Sequence, residues 1–170
     1  MFGLFKPKLA SNEPVGFELA IEISAPASEV YPLLDWADER HAKRQLGDIV
    51  EQTGENTYRL VLKSLPDVNI PITVEEAVPH SSYTFLTRIE PVIGALVSSR
   101  ECYTITEEGP DACILALSME AQFLPDMKEK DHAREIAMMA ASAHSALEKL
   151  KIHAEFGTDA VRAVEDRLVI

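Results

Sequence analysis

Two glutamates stand where strands would bury apolar side chains. In "NIPITVEEAV" the alternating set Ile70, Ile72, Val74, Glu76, Val78 includes Glu76, and in "SSRECYTITEE" Glu101 shares parity with Tyr103. A carboxylate on a buried strand face resists ionisation unless it is paired, and such a group can donate, accept or relay a proton. Pairing Val78 with Tyr83 places Glu76 opposite Phe85, and pairing Leu62 with Ile72 places Tyr58 opposite Glu76. Pairing Thr106 with Ala112 puts Tyr103 opposite Leu115 and Glu101 opposite Leu117. With Phe85 beside Glu101, one row then runs Tyr58, Glu76, Phe85, Glu101, Leu117, with the two carboxylates roughly 10 Å apart. That separation is too wide for a shared proton and suits bracketing a polar group of a ligand. Glu76, Glu101 and Tyr58 are therefore the candidate catalytic residues. The alternatives are structural: a bulge or one-residue slip at Glu75-Glu76 would send Glu76 to solvent, and Glu101 can pair with Arg100 or Arg88. Tyr58 and Tyr103 can equally be core tyrosines with satisfied hydroxyls.

Other chemistry finds little support. His132 and His144 are twelve residues apart on one helix, too far to share a metal, and His144 with Glu148 reads as an exposed helical pair. His41, His80 and His153 fall in a charged segment, a turn and a helix end. Cys102 and Cys113 match no metal spacing and form no disulfide framework, which fits reduced thiols in a cytoplasm. Neither a nucleophile triad nor a phosphate-binding glycine loop is visible, and neither a metal nor a cofactor is expected. The formal charge of −12 on 170 residues opposes unassisted binding of nucleic acid or anionic lipid.

The elements that must carry these residues follow from periodicity. "FELAIEISAPASEVYPLL" alternates through Phe17, Leu19, Ile21 and Ile23, then breaks at Ala25-Pro26. Pro26 suits the first position of a helix, Glu29 suits its first turn, and Val30, Leu33 and Leu34 form an apolar stripe. Pro32 should kink or split that helix, with a second helical piece running through "DWADERHAKR". Six further alternating segments follow, separated by turn residues at Gly54-Glu55-Asn56, Pro79-His80-Ser81 and Gly109-Pro110-Asp111. From about Met127, Ile136, Met139, Ala140, Ala143, Leu147 and Leu150 share one face of a long helix that Gly157 would stop. "TDAVRAVEDRLVI" can form a short last helix with Thr158 as cap and Val161, Val164 and Leu168 on one side. The length allows one domain with a sizeable core. It divides into an N-terminal extension, 1–15, a main domain, 16–157, and a C-terminal extension, 158–170.

This order resembles that of the START-like superfamily, also called the polyketide cyclase/dehydrase and lipid-transport (SRPBCC) superfamily. The likeness rests on "IEISAPASEVYPLL", "VEEAVPHSSYTF", "TITEEGPDACILALSME" and "AREIAMMAASAHSALEKL", within residues 16 to 153. It implies an α+β helix-grip fold: a seven-stranded antiparallel sheet wrapped around a long C-terminal helix, with two short helices after the first strand. It also implies a cavity between sheet and helix for a hydrophobic small molecule or lipid. The small and deformable residues on the helix face leave room for one, although alanines can equally let a helix sit close on a sheet. The expected lining is Leu60 and Leu62 on the third strand, Val74 on the fourth, Phe85 and Thr87 on the fifth and Tyr103 on the sixth. Leu115, Leu117 and Met119 on the seventh strand and Ile136, Met139, Ala140 and Ala143 on the helix complete it. Three functions stay open: a carrier of a hydrophobic molecule, a cyclase- or dehydratase-like enzyme, and a protein-binding adaptor. The apolar residues of "MFGLF" and "RLVI" call for docking, on their own domain first, on a second copy in a homodimer next; the acidic body opposes a membrane contact.

Overall fold

The computed structural model describes residues 8–167. The alternating segments form seven strands: β1 (Val15–Ile23), β2 (Ile49–Gly54), β3 (Thr57–Val61), β4 (Ile70–Val78), β5 (Ser82–Arg88), β6 (Leu96–Gly109) and β7 (Ala112–Phe123). They build one antiparallel sheet in the order β1-β7-β6-β5-β4-β3-β2. Helix α1 (Ala27–Leu34) and helix α2 (Ala42–Gln45) follow β1, and α3 (Glu129–Phe156) and α4 (Thr158–Arg167) follow β7. The element order expected from the periodicities, and the α+β architecture that the resemblance implies, are the ones found.

β7 lies between β1 and β6 and buries every second residue, Cys113, Leu115, Leu117, Met119, Ala121 and Phe123. Each fully buried leucine there contributes about 1.5–3 kcal/mol through removal of apolar area from water. α3 lies against the same face, with Ala143 and Leu147 buried in the main core and Met139 and Leu150 packed on it. Ile136 instead joins a smaller cluster with Ala95, Ala121 and Phe123.

Several details depart from the sequence reading. α1 accommodates Pro32 inside one helix without splitting, because the helix ends two residues later and little of the ladder is lost. Pro26 is its N-cap, in extended conformation, one position ahead of the expected place. The stretch expected to form a second helix is mostly turns, and only Ala42–Gln45 is helical. There the carboxylates of Asp35 and Asp38 accept the backbone N–H groups of Ala37 (3.0 Å) and Arg40 (2.8 Å), which gives the chain a local alternative to helix.

The strand registers also moved. Leu60 pairs with Ile70 and Tyr58 with Ile72, not Glu76: β4 is displaced by four residues along β3 from the expected register, an even shift that keeps the same faces together. In β6–β7, Thr106 pairs with Ile114, Tyr103 with Leu117 and Glu101 with Met119. That two-residue shift preserves which faces meet. Phe85 does pair with Glu101. Between β4 and β5 a bulge separates the Val74–Phe85 pair from the Glu76–Thr84 pair, so Glu76 is not opposite Phe85.

The N-terminal segment docks on its own domain where it is described. Ala10 N–H donates to the Met127 carbonyl at 2.8 Å, and Asn12 Oδ1 accepts the Asp126 N–H at 2.9 Å. Phe2, Leu4 and Phe5, and Leu168, Val169 and Ile170, lie outside the described residues. Among the described residues no helix is long and apolar enough to cross a membrane.

Candidate functional site

A cavity of about 700 Å³ lies between the concave face of the sheet and α3. Its floor is built by strand parity: Leu60 on β3, Ile70 and Ile72 on β4, Phe85 and Thr87 on β5, Glu101 and Tyr103 on β6, and Leu117 and Met119 on β7. α3 contributes Met139, Ala143 and Leu150, and α1 contributes Leu33 and Leu34. Eight of the thirteen residues expected from sequence to line a cavity do so: Leu60, Phe85, Thr87, Tyr103, Leu117, Met119, Met139 and Ala143. Leu62, Val74, Leu115, Ile136 and Ala140 do not. Leu62 and Val74 pack at the margin of the core, Leu115 is fully buried within it, and Ile136 serves the smaller cluster.

The three candidate catalytic residues part company. Tyr58 is buried in the core away from the cavity. Glu76 is exposed beyond the β4 bulge, where its carboxylate accepts the Ser82 hydroxyl at 3.1 Å. Glu101 alone reaches the cavity. Its Oε2 accepts the Tyr103 hydroxyl at 3.0 Å and its Oε1 accepts the Ser99 hydroxyl at 3.3 Å. Arg100, considered as its partner, turns to the other face and pairs with Glu75 at 2.6 Å. Burial pushes the Glu101 pKa up, against the two hydroxyl hydrogen bonds and the positive charge of Lys43. Tyr103 is held well above the usual phenol value, by burial first and by the neighbouring carboxylate next.

A line of aromatic rings closes one end. Tyr103 lies nearly parallel to Phe85 with centroids 6.1 Å apart, Phe85 meets Trp36 edge to face at 5.4 Å, and Trp36 stacks on His41 at 4.0 Å. Trp36 is fixed by its backbone N–H, which donates to the Tyr83 hydroxyl at 3.1 Å, while that hydroxyl donates to Asp35 at 3.2 Å. Arg44 ties the same turn to β2 by donating to the carbonyls of Trp36 and Val50. His41 caps α2: its Nδ1 accepts the Lys43 N–H at 3.2 Å, which leaves the ring proton on Nε2. Burial, then the charges of Lys43 and Arg44, hold the His41 pKa down to about 3.

The far rim is α4. Val161 is fully buried and lines the cavity together with Glu165. Lys149 on α3 holds Glu165 at 3.1 Å and Lys63 approaches it at 3.8 Å, while Arg162 donates to the Gln45 carbonyl at 2.9 Å. His153, buried at the α3–α4 junction, meets the Thr158 hydroxyl at 3.0 Å. Sequence reasoning missed Trp36, His41, His153 and Val161 as cavity residues. The signal for Val161 was present as the apolar stripe of the last segment; Trp36 and His41 sit in a charged run with no periodicity to place them. Among the described residues no cluster of three or more His, Cys, Asp or Glu could hold a metal.

By sequence, no family model matches the chain, and no curated protein does. Solved structures do. DynU16, a protein in the dynemicin biosynthetic locus, superposes with a TM-score of 0.63 at 18% identity, covering 85% of this chain and 49% of that one. The di-domain ARO/CYC BexL from the BE-7585A biosynthetic pathway gives 0.57 at 16%, covering 85% and 51%. This chain thus spans about half the length of both. A START superfamily protein from Mycobacterium smegmatis gives 0.50 at 14% identity, covering 79% of this chain and 98% of that one. The chain has the START-like helix-grip fold. In START-like terms, the seven strands and α3 are the grip, α1 and α2 form the insertion after the first strand, and α4 is a further helix seated at the cavity rim.

Proposed function

We propose that the protein binds a hydrophobic small molecule or lipid in the cavity between the sheet and α3. The observation that carries this reading is a cavity of about 700 Å³ with a mainly apolar wall and a few polar groups, among them Glu101 on the sheet and Lys149 and Glu165 at the α4 rim. Ligand sites commonly have about 300–1,000 Å³ and that distribution of chemistry. The binding unit in this reading comprises residues 16–157 together with α4, since Val161 contributes to the wall. Native mass spectrometry of the purified protein tests it: a co-purifying apolar molecule, lost when the cavity is filled by substitution, is the expected result. A protein that carries no such molecule and takes up no apolar probe would refute it.

A second reading, a cyclase- or dehydratase-like enzyme, draws on one observation, the half-buried Glu101 held between two hydroxyls inside the cavity. A carboxyl placed beside a ligand can give or take a proton in a reaction. Comparing the molecules that co-purify with the wild type and with Glu101→Gln separates the two readings. The same molecule from both proteins supports the carrier; a precursor heavier by one water from the variant supports the dehydratase.

A further inference from the structure

We propose that the bound molecule carries a hydroxyl group at its buried end, and that Glu101 selects it over molecules ending in a carboxylate. The inference rests on the binding reading above and adds the chemical class of the ligand.

The argument counts donors and acceptors. Ser99 and Tyr103 each have one hydroxyl proton, and each gives it to a different oxygen of Glu101, at 3.3 and 3.0 Å. Their donors are therefore spent. Each carboxylate oxygen keeps a second lone-pair direction, so this end of the cavity presents acceptors to whatever lies beside it. Glu101 makes no ion pair among the described residues. Lys43, whose charge it feels, is an exposed residue at the rim. Its strand partners Phe85 and Met119 offer no donor, and the donors elsewhere on the cavity wall, Trp36, His41, Lys43 and Thr87, make no hydrogen bond to it among the described residues, so the carboxylate's hydrogen bonding is incomplete. A ligand hydroxyl supplies that donor. A ligand carboxylate would set like charge against like in a poorly hydrated site, and a plain hydrocarbon would cover the carboxylate and leave it short of a partner. A site built around a buried polar group rejects analogues that leave that group unpaired.

Three probes of one shape decide the matter: 2-naphthol, naphthalene and 2-naphthoate, with affinities measured by fluorescence or calorimetry at about pH 8, where a carboxylate ligand is ionised. The expected result is 2-naphthol bound at least roughly tenfold more tightly than either of the others, the size of one well-placed hydrogen bond. In Glu101→Leu that advantage should vanish. In Glu101→Gln, which keeps the shape and an acceptor but not the charge, 2-naphthoate should gain on 2-naphthol. Circular dichroism melts of both variants establish that they are folded, and Glu101→Gln alone suffices if Glu101→Leu is not. If 2-naphthol and 2-naphthoate bind alike, or if the preference persists in the folded variants, the selection is overturned while the hydrophobic cavity stands. If none of the three binds, the binding reading falls and this inference falls with it.

Discussion

His41 is a histidine that the fold keeps uncharged. Its folded pKa of about 3 lies below the ordinary value of 6.5, so the unfolded chain takes up a proton that the native chain refuses. The stability at this position is complete above pH 6.5 and is lost as pH falls toward 3, by up to roughly 5 kcal/mol across the window. Urea titrations between those limits should show a steep acid slope in the wild type and a shallower one in His41→Gln, which does not titrate; equal slopes would mean that His41 is not a buried neutral group. Glu101 has the opposite sign. Its folded pKa is raised, so its favourable share is present below the ordinary carboxylate range and is lost as pH rises through the folded value. Glu101→Gln should therefore gain on the wild type in thermal melts as pH is raised, with no gain in acid. These residues differ in how readable they were. Glu101 shares parity with Tyr103 and lies opposite Phe85, so local alternation placed it. Glu76 obeys the same alternation, but the bulge at Glu75 reverses its face. Trp36 is placed by tertiary contacts to Tyr83 and Phe85 that no local pattern contains, and His41 by stacking on Trp36 as well as by its local cap on α2.

At the scale of elements, α4 depends on one backbone position. Gly157 ends α3 with φ 85° and ψ 176°, a combination that essentially only glycine adopts, and a Cβ added there would meet nothing within 4 Å. Gly157→Ala should therefore cost about 1–3 kcal/mol through conformation alone, without steric conflict. The cost should appear in α4 first: faster hydrogen exchange around Val161, with β7 unchanged, is the expected pattern. Uniform acceleration throughout the chain would show that α4 is not a separable rim. The elements themselves were legible because a half-buried strand must alternate and a helix packed on a sheet must repeat near every third or fourth residue. Registers were less so. Hairpin pairing depends on turn and bulge geometry, and the sequence marked the turn at Gly109-Pro110-Asp111 without revealing the bulge between Glu107 and Gly109. An even shift there kept Tyr103 and Leu117 on one face, so the cavity floor survived the error. The shift at β4 was odd beyond Val74, and Glu76 did not survive it.

For the molecule as a whole, the cavity is a place where packing has been given up. Well-filled interiors approach crystal density, and space of about 700 Å³ forfeits dispersion contacts along its walls. If that space serves a ligand, filling it should help the fold and harm binding, a trade common at functional sites. Ala143 is the position to test. It is buried on α3, faces the sheet and lines the cavity, so a longer side chain grows into open volume. Methionine is flexible enough to follow the wall formed by Met119, Leu117 and Met139. Ala143→Met should leave the melting temperature unchanged or raise it, while affinity for an apolar probe such as naphthalene falls at least roughly tenfold as the probe loses contact area. Overpacking of an already filled core gives the reverse sign, a loss of about 1–3 kcal/mol. A destabilised Ala143→Met protein that binds the probe as tightly as the wild type would mean that the space beside this helix face is not where a ligand sits.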